Sequence, residues 1–214
     1  IGSGSTASHT FSSTGSKTIQ LTVTNGARDS ETASISVDVY QAPNADISGP
    51  TDVTVNKGYS WDGRNSNGAS SYNWNIGSGS TASHSFSSAG SKTIRLTVTN
   101  GAGDSDTEEL GVTAYQAPNA DISGPAEGEI GQTLNFDGRE SNGASNGYNW
   151  NIGSGSTAST SYSNSGDKTV ELTVTNGAGD SDRTTHSVYI LEPASFSVGI
   201  TNTNSPVEPG QNLD

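Results

Sequence analysis

Apolar and polar residues alternate with a period of two along this chain. Ile94, Leu96 and Val98 alternate with Thr93, Arg95, Thr97 and Thr99, and the sets Ile19, Leu21, Val23 and Val170, Leu172, Val174 repeat the pattern. Strict alternation with β-branched residues on the polar side predicts a half-buried strand. Tyr72, Trp74 and Ile76, matched by Tyr148, Trp150 and Ile152, predict a second strand. Leu110, Val112 and Ala114, matched by Ile35, Val37, Val39 and by Val188, Ile190, predict a third. Shorter strands are expected at Val53–Val55, Tyr59–Trp61 and Leu134–Phe136. The intervening clusters Asn65–Ser71, Gly77–Ser83, Ser87–Ser91 and Asn100–Ser105 read as turns, because Gly and Asn accept positive φ and Ser and Asp bond their own backbone. No stretch has the period or length of an amphipathic helix. Short strands spaced by about 8–12 residues predict an antiparallel β-sandwich.

The pattern is also repeated on a longer scale. The stretch Tyr72–Asn100 recurs as Tyr148–Asn176, and Ile1–Asn25 is a copy without the opening Tyr-x-Trp. Ile76 follows Ile1 by 75 residues, and Ile152 follows Ile76 by 76. A fixed period of this size marks a tandem array. The join Tyr40–Pro50 recurs identically at Tyr115–Pro125, and its proline suits a junction or an edge strand. The units are therefore 1–40, the C-terminal half of a repeat; 41–115 and 116–191, complete repeats; and 192–214, where the pattern changes to one strand, a turn and the start of another domain.

Composition narrows the setting. There are no cysteines, so units of this size lack covalent staples and need neighbours, ions or solvent for support. The net charge of −13 comes from 22 acidic and 9 basic residues spread thinly over the units. That balance argues against nucleic acid, which requires a basic face, and against an anionic membrane surface. No apolar run is long enough to cross a bilayer.

The residues carry a resemblance. Tyr-x-Trp-x-Ile-Gly-x-Gly, then His84-x-Phe86-Ser, then Gly90-x-Lys-Thr-Ile-x-Leu-Thr-Val-Thr-Asn100, resembles the PKD (polycystic kidney disease-type) domain over residues 1–191. The resemblance implies tandem immunoglobulin-like sandwiches arranged as a rod, in an extracellular or cell-surface protein. Phe196–Asp214 resembles the opening of a CARDB-type domain, which implies that 192–214 starts a further β-sandwich, and this order with acidic composition is similar to that of haloarchaeal surface proteins. Family members usually read Trp-Asp-Phe-Gly-Asp-Gly; here Asn75 and Ser78, like Asn151 and Ser154, stand in place of the acids.

Candidate chemistry is sparse. Asp104-Ser-Asp106-Thr-Glu108-Glu109, echoed by Asp180-Ser-Asp182 and Asp29-Ser-Glu31, sets alternate carboxylates that suit a calcium ion or a solvated acidic turn. Asp62 and Asp137, each followed by Gly-Arg, suit either calcium or a turn capped by the side chain. His9 and His84 share one repeat position that Thr160 fills in the third copy, so packing near Phe11, Phe86 and Tyr162 is expected. His186 is expected to be isolated and exposed. Trp61, Trp74 and Trp150 fit a core better than a sugar-stacking platform. There is no Gly-x-Ser-x-Gly elbow and no nucleotide-binding glycine fingerprint, and no enzyme activity is expected within this window.

The expected function is mechanical: a spacer or filament-forming surface protein whose partners are neighbouring repeats, other copies of itself or other surface proteins. The alternative is a carbohydrate- or protein-binding adhesin module attached to a secreted hydrolase. The half-unit 1–40 lacks the Tyr-x-Trp strand, so its inner face calls for cover from preceding residues or from strands donated by another chain. Calcium held by the acidic turns predicts a melting temperature that falls in chelator; an unchanged melt would rule the ion out.

Overall fold

The structure is a computed structural model that describes residues 2–195, 198 and 199. Its elements are strands. The first unit contributes an antiparallel hairpin, β1 (Gly15–Thr24) with β2 (Ser30–Val39). The second contains β3 (Asp52–Thr54), β4 (Tyr59–Asp62), β5 (Ser71–Trp74), β6 (Gly77–Ser78), β7 (Thr81–His84), β8 (Gly90–Thr99) and β9 (Ser105–Tyr115). The third repeats this series as β10 (Glu127–Glu129), β11 (Leu134–Asp137), β12 (Gly147–Trp150), β13 (Gly153–Ser154), β14 (Thr157–Thr160), β15 (Gly166–Thr175) and β16 (Ser181–Leu191). Each complete unit is an immunoglobulin-like sandwich. One sheet has the order β3-β9-β8-β5-β6, and β4-β7 faces it; the third unit has β10-β16-β15-β12-β13 over β11-β14.

The period-two residues point into these sandwiches. Ile94, Leu96 and Val98 are fully buried, with Val53, Trp61, Trp74, Val112 and Ala114 around them. The equivalent core is Val170, Leu172, Val174, Phe136, Trp150, Val188 and Ile190. The chain exposes 14025 Å², against roughly 9,300 Å² for one compact domain of its mass. That excess accords with separate small cores. Among the described residues no sheet faces the β1–β2 hairpin, which bears the same alternation and leaves Leu21, Val23 and Ile35 at 57%, 56% and 63% exposure.

Two expectations are corrected. The sandwich is not wholly antiparallel: β3 runs parallel to the end of β9, and β10 to the end of β16. The cause is a crossing between sheets. Ser48 bridges Asp62 of β4, and a few residues later Asp52 joins β9. Pro50 lies at the crossing, where its carbonyl accepts the Trp61 indole N–H at 3.1 Å. Gly49 is required beside it, since a Cβ there would lie 2.3 Å from the Trp61 ring. Secondly, Gly77–Ser83 is not simply a turn, because Thr81–His84 forms β7 against β4. Its residues are small and polar, but Ala82 is buried and the Ser60 and Ser83 hydroxyls pair at 2.6 Å.

The Trp-Asn-Ile-Gly-Ser-Gly stretch is a structural corner. The Trp74 indole donates to the Gly79 carbonyl at 2.8 Å, and Gly79 has φ 96°. Trp150 and Gly155 repeat this contact. Asn75 extends the ladder with its side chain: Nδ2 donates to the Thr93 carbonyl at 2.8 Å, and Oδ1 accepts the Arg95 N–H at 2.9 Å. Asn151 does the same with Thr169 and Glu171. A carboxylate could accept but not donate, which accounts for asparagine at this position. Asn75→Asp is therefore expected to lower the stability of the second unit by about 1 kcal/mol, read as a reduced urea midpoint at unchanged slope; an unaltered midpoint would contradict the role given to Nδ2.

Candidate functional site

The acidic turns and the joins between units meet at one place. Each long hairpin ends in a tip of five residues, Asn25–Asp29, Asn100–Asp104 or Asn176–Asp180. The asparagine side chain closes the tip. In the third unit Asn176 Oδ1 accepts the N–H groups of Ala178 and Asp180, both at 3.0 Å. Asn100 Oδ1 does the same for Ala102 and Asp104, and Asn25 Oδ1 for Ala27 and Asp29. The fourth tip residue is left-handed: Gly103 at φ 93°, Gly179 at 84° and Arg28 at 74°. Glycine takes that conformation without the Cβ penalty that Arg28 bears.

The tip of the third unit docks on the second. Asn176 Nδ2 donates to the Gln116 carbonyl at 3.0 Å and, across the joint, to Thr54 Oγ1 at 2.9 Å. The asparagine is fully buried, and both donors and both acceptor sites of its amide are used. Lys57 of the second unit pairs with Asp180 at 2.7 Å. Tyr115, the last residue of β9, lies against Gly177 so closely that a Cβ there would fall 2.2 Å from the ring. The tip of the second unit meets the first through the aromatic contact alone, without counterparts of the Thr54 bond and the Lys57 ion pair among the described residues. Asn100 Nδ2 reaches the Gln41 carbonyl at 3.0 Å, and the Tyr40 ring occupies the space a Gly101 Cβ would take.

The receiving surface is not reproduced at the far end of the third unit. By the repeat alignment, Leu191, Glu129 and Gln132 stand where Tyr115, Thr54 and Lys57 stand one repeat earlier. Leu191 is 43% exposed, and Gln132 Oε1 is bonded to the Glu129 N–H at 2.8 Å. This surface therefore lacks the aromatic ring, hydroxyl and ammonium that receive a tip.

The acidic residues singled out in the sequence are dispersed along the tips and strands. Asp104 accepts from Asn100 Nδ2 at 3.2 Å, while Asp180 takes Lys57 across the joint. Asp106 and Glu108 accept the main-chain N–H groups of Ala45 and Ile47 at 2.8 and 2.7 Å, and Asp182 accepts that of Ala120 at 2.8 Å. These carboxylates tie the unladdered opening segment of each unit to its last strand. Among the described residues, no group of three or more His, Cys, Asp or Glu side chains is gathered as for a metal ion. Asp62 and Asp137 each accept the N–H of Arg64 or Arg139 and pair with its guanidinium. Hydrogen bonding from Arg139 holds the Asp137 carboxyl down at about 2.

His84 packs edge-on against Phe86 at 4.7 Å, as His9 does against Phe11 at 4.8 Å. His186 differs from expectation. It is half-buried, with Nε2 3.1 Å from the Pro125 carbonyl and its ring 5.8 Å from Phe136. Trp61, Trp74 and Trp150 are buried and unavailable for stacking on a ligand. No helix among the described residues is long and apolar enough to cross a membrane. Most of Phe196–Asp214 lies outside the described residues, and so does the CARDB-like expectation.

Comparison with known proteins adds a family. The model of the PKD domain matches residues 40–114 and 115–191, together more than half of the chain. Among solved structures, the fibronectin(III)-like modules of Clostridium thermocellum CbhA are 8% identical, with 72% of this chain and 100% of that chain covered at a TM-score of 0.39. The insect immune protein hemolin is 14% identical, covering 82% and 56% at 0.37. A Ca2+-stabilized adhesin of an Antarctic bacterium is 10% identical, covering 85% and 58% at 0.35.

The joint has a defined pH range. Asp180 is held below its ordinary 3.8, first by the hydrogen bond from Lys57 and then by Thr54. Its contribution is full above 3.8 and is lost as pH falls through the lowered value. Lys57 is held above its ordinary 10.5, chiefly by Asp180. Its contribution is full below 10.5 and is lost as pH rises through the raised value. Because this pair is exposed, its effect is small and salt-sensitive. Asn176 is buried and bridges to Thr54, and Asn176→Ala is expected to cost about 1–3 kcal/mol, divided between its own tip and the coupling between the units. Calorimetry should resolve this as separation of their melting transitions; superimposed transitions in the variant would contradict it.

Proposed function

The chain belongs to the PKD domain family, and on that premise we propose that it is a spacer: a stiff run of Ig-like units in an extracellular surface or filament protein. PKD and Ig-like domains are typically non-catalytic modules. The observation that carries the reading is the joint at Asn176. A flexible string of domains needs only linkers. Here the hydrogen bond from the buried Asn176 amide to Thr54, an ion pair and an aromatic ring over glycine hold one unit on the next, while the other three bonds of that amide close its own tip. Neighbouring units thereby supply the support that small cores without disulfides lack, as in other repeat arrays. The units as delimited, 1–40, 41–115 and 116–191 with a further sandwich from 192, are part of this proposal.

Neighbouring repeats are the partners with most support. Other copies of the chain, or other surface proteins, would meet the sheet edges and the part-exposed apolar face of the β1–β2 hairpin. Strand donation onto that face is the route by which copies would form a filament. The alternative reading, a carbohydrate- or protein-binding adhesin module beside a secreted hydrolase, loses its best aromatic candidates to the core, since the three tryptophans are 1–4% exposed. Calcium at the tips would require Asp104 or Asp180 to exchange its amide or ammonium partner for the ion.

Small-angle scattering tests the spacer reading. The native chain is expected to give one elongated particle, and Asn176→Ala a broader, shorter distance distribution. Native scattering already that of freely jointed units, or specific binding on a glycan array, would favour the adhesin reading.

A further inference from the structure

Six asparagines in this chain are followed by glycine: Asn25, Asn67, Asn100, Asn142, Asn146 and Asn176. Such a pair has its own chemistry. The glycine nitrogen, losing its proton to water or hydroxide, attacks the asparagine Cγ. The Cγ–Nδ2 bond breaks and ammonia leaves, closing a five-membered imide. Water then opens the ring at either carbonyl, giving aspartate or isoaspartate. Only water is consumed, and nothing is oxidised or reduced. Glycine favours the attack because it has no Cβ to obstruct it. Access then depends on how freely the amide can swing towards that nitrogen.

The six pairs differ sharply in that freedom. Asn67, Asn142 and Asn146 are exposed, and none of their side chains has a hydrogen bond among the described residues. Asn25 is exposed, but its amide is tied to Ala27 and Asp29. Asn100 and Asn176 are 5% and 0% exposed. Asn176 is the most constrained. All four of its hydrogen-bonding positions are engaged, the Gly177 N–H donates to Ser145 Oγ at 2.9 Å, and the Tyr115 ring lies over Gly177. The joint thus carries a chemical tension. The ring demands glycine at 177, and glycine makes Asn176 intrinsically labile.

We propose that these pairs are graded sites of deamidation by water, with Asn67, Asn142 and Asn146 converting first and the closed joint holding Asn176 intact. Conversion of Asn176 then records that the joint has opened. It also prevents the same closure, because the Nδ2 donor facing the Gln116 carbonyl is replaced by an acceptor carrying negative charge beside Asp180. The proposal rests on the joint geometry, not on the spacer role, so scattering and deamidation can fail separately.

The test is to age the intact chain in mildly alkaline buffer and to quantify aspartate and isoaspartate at each site by peptide mass spectrometry. Asn67, Asn142 and Asn146 are expected to convert at least about tenfold faster than Asn176, equivalent to about 1.4 kcal/mol of protection. The double variant Lys57→Glu, Thr54→Ala opens the joint without altering any Asn-Gly pair. In protein whose far-UV spectrum is native, it is expected to raise the conversion of Asn176 relative to Asn100 by about tenfold, again about 1.4 kcal/mol. General loosening would raise both sites and leave their ratio unchanged. Native Asn176 converting at the rate of Asn146, or an unchanged Asn176 to Asn100 ratio in the variant, would overturn the proposal.

Discussion

The arrangement of units depends on satisfying one buried amide. Asn176 is the sole polar side chain among the largest fully buried groups of the described residues, and it stands between two separate cores. An unpaired amide there would carry the desolvation cost of each unmet donor and acceptor. With both units in place every position is used. The tip closes on itself through Oδ1, and Nδ2 bonds both Gln116 of its own unit and Thr54 of the neighbour, so one side chain serves the turn and the joint. The same amide in the first unit, Asn25, is exposed and closes only its own tip. This difference between identical local motifs separates a turn from a joint.

Much of the fold was legible. The period-two pattern placed the long strands, because each strand must bury one face. Other features were harder to read. Thr81–His84 forms a strand of small polar residues, held by pairing with β4 and by Ala82, and carries too little hydrophobic signal to stand out from a turn. The parallel pairing of β3 arises from a change of sheet near Gly49-Pro50, a tertiary event without a local signature. His186 is drawn against Phe136 by a carbonyl that is distant in sequence.

The site was legible in outline. The acidic tips and the joins stood out as places for interaction, and Asp180 does act across a joint. Asp106, Glu108 and Asp182 replace missing ladder partners for the opening segment of each unit, a role that only the path of that segment reveals. Lys57 and Thr54 gave no signal, because each occurs at its position in one copy only, with Gln132 and Glu129 in the next. The same non-repetition distinguishes the distal surface of the third unit from the one it docks on.

A joint closed by Asn176 requires that units two and three share one orientation in solution. Residual dipolar couplings from weakly aligned protein report that directly, since each rigid body yields its own alignment tensor. A single tensor fitting the amides of both β8–β9 and β15–β16 is the predicted result. Two tensors of different magnitude would mean that the units reorient independently, and would contradict the joint.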